Sequence, residues 1–85
     1  MKIEILYFAY LREQLGFDRE EAETPDDMRT VGALRDWLVA KGEPYATAFA
    51  NLKRIRAALN EELASDDEAL KEGDVVAFFP PVTGG

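Results

Sequence analysis

Gly73-Asp74-Val75-Val76-Ala77-Phe78-Phe79-Pro80-Pro81 holds an unbroken apolar run, Val75 to Phe79, bracketed by a glycine and by two prolines. Gly73-Asp74 launches a strand, and the prolines, which have no N–H to give to a ladder, stop it. Side chains alternate along a strand, so Val75, Ala77 and Phe79 share one face while Val76 and Phe78 share the other. Apolar residues on both faces predict a strand covered on both sides. Lys2 to Phe8 reads the same way, with Ile3, Ile5 and Tyr7 on one face and Leu6 and Phe8 on the other. Phe8 and Phe78 suit the core or a partly exposed docking patch, with the core as the default. Phe79, next to the proline pair, suits either the core or an interface, where aromatic side chains concentrate.

Between these strands the period changes. Leu11 and Leu15 at i,i+4 before Gly16 predict a short helix. Asp18 to Asp27 is acidic and contains Pro25, so it is either an edge strand near Glu20 to Thr24 or a loop. Thr30 is suited to an N-cap, and Val31, Leu34 and Leu38 recur at helical spacing beside Trp37 up to Gly42, which marks the main helix. Pro44 restarts a shorter helix through Tyr45, Phe49 and Ala50, closing near Asn51. Ile55, Ala57 and Leu59 alternate, and Asn60-Glu61 makes a tight turn into Glu62-Leu63-Ala64. Ser65-Asp66-Asp67-Glu68 has the form of a capping box, predicting one helical turn over Ala69 to Glu72. This order describes an α+β domain. With the first and last strands side by side at the sheet centre, the arrangement is a β-grasp (ubiquitin-like) fold, a mixed sheet packed against a main helix. Residues 1–79 are expected to form that single domain, and residues 80–85 a flexible C-terminal Gly-Gly tail.

Eighty-five residues suit one small domain with a modest core and leave little room for a deep catalytic cleft. Seventeen acidic against ten basic residues give a formal net charge of −7. That charge repels nucleic acid and favours a basic partner surface. The absence of cysteine and histidine excludes disulfides, thiolate zinc sites, iron–sulfur clusters, a Cys nucleophile and the Ser-His-Asp triad. No metal site is expected. The longest apolar run, Ile5 to Tyr10, is far short of the roughly 18 to 20 residues that span a bilayer. Met1-Lys2-Ile3-Glu4 does not open like a secretory signal, so the chain reads as cytoplasmic.

The final residues, Pro80-Pro81-Val82-Thr83-Gly84-Gly85, are the informative stretch for chemistry. A prolyl pair stiffens the exit, and six extended residues reach roughly 20 Å. Without Cβ atoms, Gly84 and Gly85 can pass a constriction and deliver a carboxylate into another protein. A carboxylate becomes reactive once an oxygen is converted to a leaving group, as in an acyl-adenylate, which a sulfur or amine nucleophile can then attack. A frayed tail is the other reading of the same glycines.

Gly73 to Gly85, and Phe78-Phe79-Pro80-Pro81-Val82-Thr83-Gly84-Gly85 above all, resembles the C-terminus of the molybdopterin synthase small-subunit family of ubiquitin-like sulfur carriers. Ile5-Leu6-Tyr7-Phe8-Ala9, Leu11-Arg12-Glu13 and Thr30-Val31 leading into Leu34-Arg35 extend the likeness over nearly the whole chain, with Gly16 to Asp27 the least informative part. The resemblance implies that an E1-like adenylating enzyme activates the Gly85 carboxylate with ATP. A sulfurtransferase or cysteine desulfurase system would then convert it to a thiocarboxylate. Docked on the large subunit in a heterotetrameric synthase, Gly85 would supply sulfur to cyclic pyranopterin monophosphate, making the dithiolene of molybdopterin in molybdenum cofactor biosynthesis. Gly84, Thr83, Val82, Pro81, Pro80 and Phe79 would form the tail and partner-binding segment. The chain would be non-catalytic by itself and bind no cofactor of its own.

Other constellations carry less. Glu20-Glu21, Asp26-Asp27, Glu61-Glu62 and Asp66-Asp67-Glu68 could be offered as acid–base pairs or a Mg²⁺ site, but acidic pairs on polar segments are usually solvated surface. Lys53, Arg54 and Arg56 form the one local basic cluster, better suited to surface pairing than to phosphate. The scattered glycines match no nucleotide-binding loop. Competing readings are a ubiquitin-like modifier joined to lysines, a sulfur carrier for another pathway such as thiamin synthesis, and a plain interaction domain. Phe79-Pro80-Pro81-Val82-Thr83 argues against the thiamin reading.

Overall fold

Val75–Phe79 lies beside Lys2–Tyr7 as the parallel centre of a five-stranded sheet. The computed structural model describes residues 1–50 and 55–81. In chain order the elements are β1 (Lys2–Tyr7), α1 (Tyr10–Leu15), β2 (Arg19–Glu23), α2 (Val31–Val39), α3 (Tyr45–Ala48), β3 (Arg56–Leu59), β4 (Glu62–Ala64) and β5 (Val75–Phe79). The strand order is β2-β1-β5-β3-β4. Among the described strands only β1 and β5 pair in parallel, and joining them takes a long crossover, which here is most of the chain. This is a β-grasp domain.

One face of the sheet carries the core. Ile3, Ile5 and Tyr7 of β1 and Val76 and Phe78 of β5 are buried in one cluster with Leu11 and Leu15 of α1, Val31, Leu34 and Leu38 of α2, and Phe49 just past α3. Tyr7 stacks on Phe78 with ring centres 6.4 Å apart, and Phe49 meets Phe78 edge-on at 5.2 Å. Helix α2 starts where Thr30 Oγ1 accepts the Ala33 N–H at 3.1 Å, the cap expected from its side chain. The acidic segment of uncertain reading forms edge strand β2, whose charges discourage further strand pairing.

Three expectations are corrected. Among the described residues, β1 and β5 are fully buried on one side only, where Ile3, Ile5, Tyr7, Val76 and Phe78 join the helices in one cluster. Leu6, Val75, Ala77 and Phe79 are therefore half-buried on the opposite face, and Phe8, expected in the core, is 47% exposed. Ala69 to Glu72 is not helical. The first N–H groups of a helix have no partner within it, and here Val31 and Gly32 give theirs to the carbonyls of Glu68 (3.1 Å) and Asp66 (2.8 Å). Leu70, buried, gives its own N–H to Arg29, so the backbone that would have closed a turn is tied to the start of α2. A Cβ on Gly32 would stand 3.0 Å from that of Asp66, so the close approach needs glycine. Lastly, α3 ends at Ala48, earlier than expected, and Asn51 lies outside the described residues.

The β3–β4 hairpin turns through Asn60 and Glu61, both at positive φ (49° and 74°), between the paired residues Leu59 and Glu62. Asn60 also ties the hairpin to β5, donating from Nδ2 to Asp74 Oδ1 at 3.0 Å and accepting the Val75 N–H at 2.9 Å. Asn tolerates its conformation, whereas Glu61 holds one that favours glycine. Glu61→Gly is expected to stabilise the domain by about 0.5–1 kcal/mol, the relief outweighing the entropy of the glycine. A rise in the urea midpoint at unchanged slope is the expected reading, and a fall would show that the Glu61 turn is unstrained.

Candidate functional site: the open sheet face and its exit strand

The uncovered face is built by strand register. Leu6 of β1 pairs with Ala77 of β5, Ala77 with Ala58 of β3, and Ala58 with Leu63 of β4, giving a continuous apolar row across four strands. The two alanines make a shallow floor. Around them Leu6, Phe8, Val75, Phe79 and Pro80 form the walls of an open, almost wholly apolar hollow of about 500 Å³, with Glu61 on its rim. Leu63 stands 78% exposed at the β4 side. Apolar hollows with polar rims are the kind of surface on which partner proteins dock.

The exit of β5 adjoins this face. Its last ladder pair joins Phe79 to Arg56, after which Pro80 and Pro81 have no N–H to continue pairing. Phe79, Pro80 and Pro81 are all half-buried, and a second hollow of about 300 Å³ lies between Arg56, Leu63, Phe79 and Pro81. Of the expected site residues, the structure thus brings Phe79, Pro80 and Pro81 to the apolar face. Val82, Thr83, Gly84 and Gly85 lie outside the described residues, as do Lys53 and Arg54.

The acidic clusters do not assemble a catalytic pair. Glu20 lies on the core side, where its Oε2 accepts from the Tyr7 hydroxyl at 2.7 Å and the Tyr45 hydroxyl at 2.6 Å. Burial, reinforced by the Glu20 hydrogen bond and charge, pushes both phenols far above their ordinary range, so they hold their protons as donors. Asp66 is bonded to Arg35 at 2.8 Å, which lowers its carboxyl below the usual value. Among the described residues no group of three or more His, Cys, Asp or Glu side chains is placed to hold a metal ion, and no helix is long and apolar enough to cross a membrane. What the described surface can do is bind an apolar partner beside a chain exit.

Phe8 and Leu63 were the contributors least visible in the sequence. Leu63 had a signal: it is the only large apolar side chain in Asn60-Glu61-Glu62-Leu63-Ala64-Ser65, with parity opposite to Glu62 and Ala64. Phe8 had none, because an apolar strand face reads alike whether a helix or another protein covers it.

Comparison with known proteins bears on this site. The profile of the ThiS family matches residues 5–85. The chain is 46% identical over 83 residues to the molybdopterin synthase sulfur carrier subunit of Escherichia coli (strain K12), covering 98% of this chain and 99% of that protein. Its fold superposes on SAMP1, the small archaeal modifier protein 1 of Haloferax volcanii, with a TM-score of 0.77 at 31% identity over all of both chains. It also superposes, with a TM-score of 0.66 at 25% identity over all of both chains, on a chain of the complex of subunits 1 and 2 of the molybdopterin-converting factor from Helicobacter pylori 26695.

Proposed function

The chain belongs to the ThiS family, among its molybdopterin synthase sulfur carrier subunits, and on that premise we propose that it carries sulfur on the carboxyl group of Gly85. The observation that carries the reading is the placement of the exit strand: Phe79-Pro80-Pro81 leaves the sheet at the rim of its uncovered apolar face. A partner that covers this face receives the six residues from Pro80 onward at a fixed starting point. Delivery from a rigid element favours accurate placement of the reacting group.

The chemistry divides between partners. An E1-like enzyme presents ATP to the Gly85 carboxylate, whose oxygen attacks the α-phosphorus and expels pyrophosphate. The persulfide sulfur of a sulfurtransferase or cysteine desulfurase system then displaces AMP to give an acyl disulfide, and a second thiol cleaves its S–S bond, ending as a disulfide and leaving the thiocarboxylate. The large subunit of molybdopterin synthase docks on the open face and holds cyclic pyranopterin monophosphate, and a heterotetramer presents a small subunit at each end. The complex of subunits 1 and 2 in the Helicobacter pylori relative supports such a pairing. The chain's own part is recognition and delivery, with the nucleotide and the pterin held by partners in the cytoplasm.

Stoichiometry tests this reading. Thiocarboxylated chain mixed with the cognate large subunit and cyclic pyranopterin monophosphate is expected to give molybdopterin with two loaded chains consumed per product, one for each dithiolene sulfur. Loaded chain that stays intact beside an active large subunit contradicts it. The likeness to a small archaeal modifier favours a second reading, in which Gly85 is joined to lysines of other proteins. Covalent conjugates in cell extracts, absent when Gly85 is removed, distinguish that reading.

A further inference from the structure

We propose that Arg56 is a specificity-determining contact of the docking face, paired in the complex with an aspartate or glutamate side chain of the large subunit. The inference rests on the docking role of the open face given above.

Arg56 is exposed, and it makes no ion pair or side-chain hydrogen bond with any described residue. Its position sets it apart from other free surface cations. It stands directly across the ladder from Phe79, the last paired residue of β5, and shares the small hollow with Leu63, Phe79 and Pro81. A partner that covers Leu63 and Phe79 must therefore also cover the guanidinium. Burying it unpaired is strongly unfavourable, so a complementary surface must offer an anion there, and the planar fork of arginine fits a carboxylate with two parallel bonds.

The rest of the chain makes this contact selective. A net charge of −7 attracts basic surfaces in general, and a uniformly basic surface would repel Arg56. Glu61, on the rim of the larger hollow, has the opposite sign. The face thus bears a cation at the β5 exit and an anion at the hairpin turn, with apolar side chains between them. Such a pattern admits a partner in one orientation and penalises the reversed one.

The test measures affinity of the full chain for the cognate large subunit by calorimetry, using Arg56→Glu, Arg56→Lys and Lys71→Glu. Lys71→Glu changes net charge as Arg56→Glu does but lies away from the face, beside the cavities near Glu72 and Asp74. Arg56→Glu is expected to weaken binding by roughly 100-fold or more. Lys71→Glu is expected to weaken it by no more than about threefold. Arg56→Lys is expected to restore part of the loss, and the Arg56→Glu deficit to persist when salt is raised, because a covered pair is screened less than an exposed one. Unchanged melting temperatures confirm that the variants fold. Equal effects of Arg56→Glu and Lys71→Glu, or full binding by Arg56→Glu, overturn the inference while leaving the docking role intact. Dimerisation of the chain alone that Arg56→Glu abolishes would put a second copy on this face and also overturn it. Failure of the unsubstituted chain to bind at all overturns the docking role itself, and this inference with it.

Discussion

Removing Gly85 is expected to abolish sulfur loading and to leave the melting temperature unchanged. Among the described residues the last buried core side chain is Phe78, and the last ladder pair is at Phe79, six residues before the end of the sequence. A truncated chain therefore keeps its packing and its docking face. It also keeps a terminal carboxylate, now on Gly84, so the chemistry of the group is unaltered and only its position differs. One extended residue is about 3.3–3.6 Å of reach. Since misplacement of a reacting group by about 1 Å can cost 100-fold in rate, loading should fall by at least about that factor. Gly85→Ala keeps the reach and adds a methyl group, so it should retain more loading than the deletion. A truncated chain that loads at the normal rate, read by intact mass, contradicts the assignment of Gly85.

The second large effect concerns the open face. Leu63 is 78% exposed and Phe8 47% exposed, so each can be replaced by aspartate with little loss of packing in the free domain. Surface substitutions of this kind usually shift stability by no more than about 0.5 kcal/mol. In the complex the same carboxylate would be pressed into an apolar contact. The effective penalty for burying an unpaired ion is several kcal/mol, which corresponds to an affinity loss of about 100-fold or more. Leu63→Asp and Phe8→Asp should therefore fold normally and fail to bind the large subunit. Wild-type affinity in both variants would show that the partner sits elsewhere. A concurrent drop in melting temperature would instead mark these side chains as part of the fold.

The fold was legible where side-chain periodicity and backbone punctuation agree. Val75 to Phe79 and Lys2 to Tyr7 read as strands from short apolar runs closed by turn residues, Thr30 caps the stripe of Val31, Leu34 and Leu38, and Asn60 takes the positive φ that a two-residue turn needs. Long-range backbone pairing was less accessible. Ser65-Asp66-Asp67-Glu68 fits a local capping box, yet carbonyls of this segment serve a different helix, and nothing within four residues of sequence encodes that choice. The docking face was hidden for another reason. An apolar residue signals that something covers it without saying whether the cover belongs to the same chain, so Phe8 read as core when it is surface. The candidate site shows both limits: Phe79, Pro80 and Pro81 were marked by their motif, Leu63 and Phe8 needed the sheet register, and the chemistry assigned to Gly85 rests on the sequence and its relatives.

Intact mass of the full chain after incubation with ATP, its adenylating enzyme and a sulfide source tests the central claim most directly. The account predicts a mass increase equal to exchange of one oxygen for sulfur, confined to a C-terminal fragment that contains Gly85. An unchanged mass, with the same adenylating enzyme active on a control carrier, would contradict it.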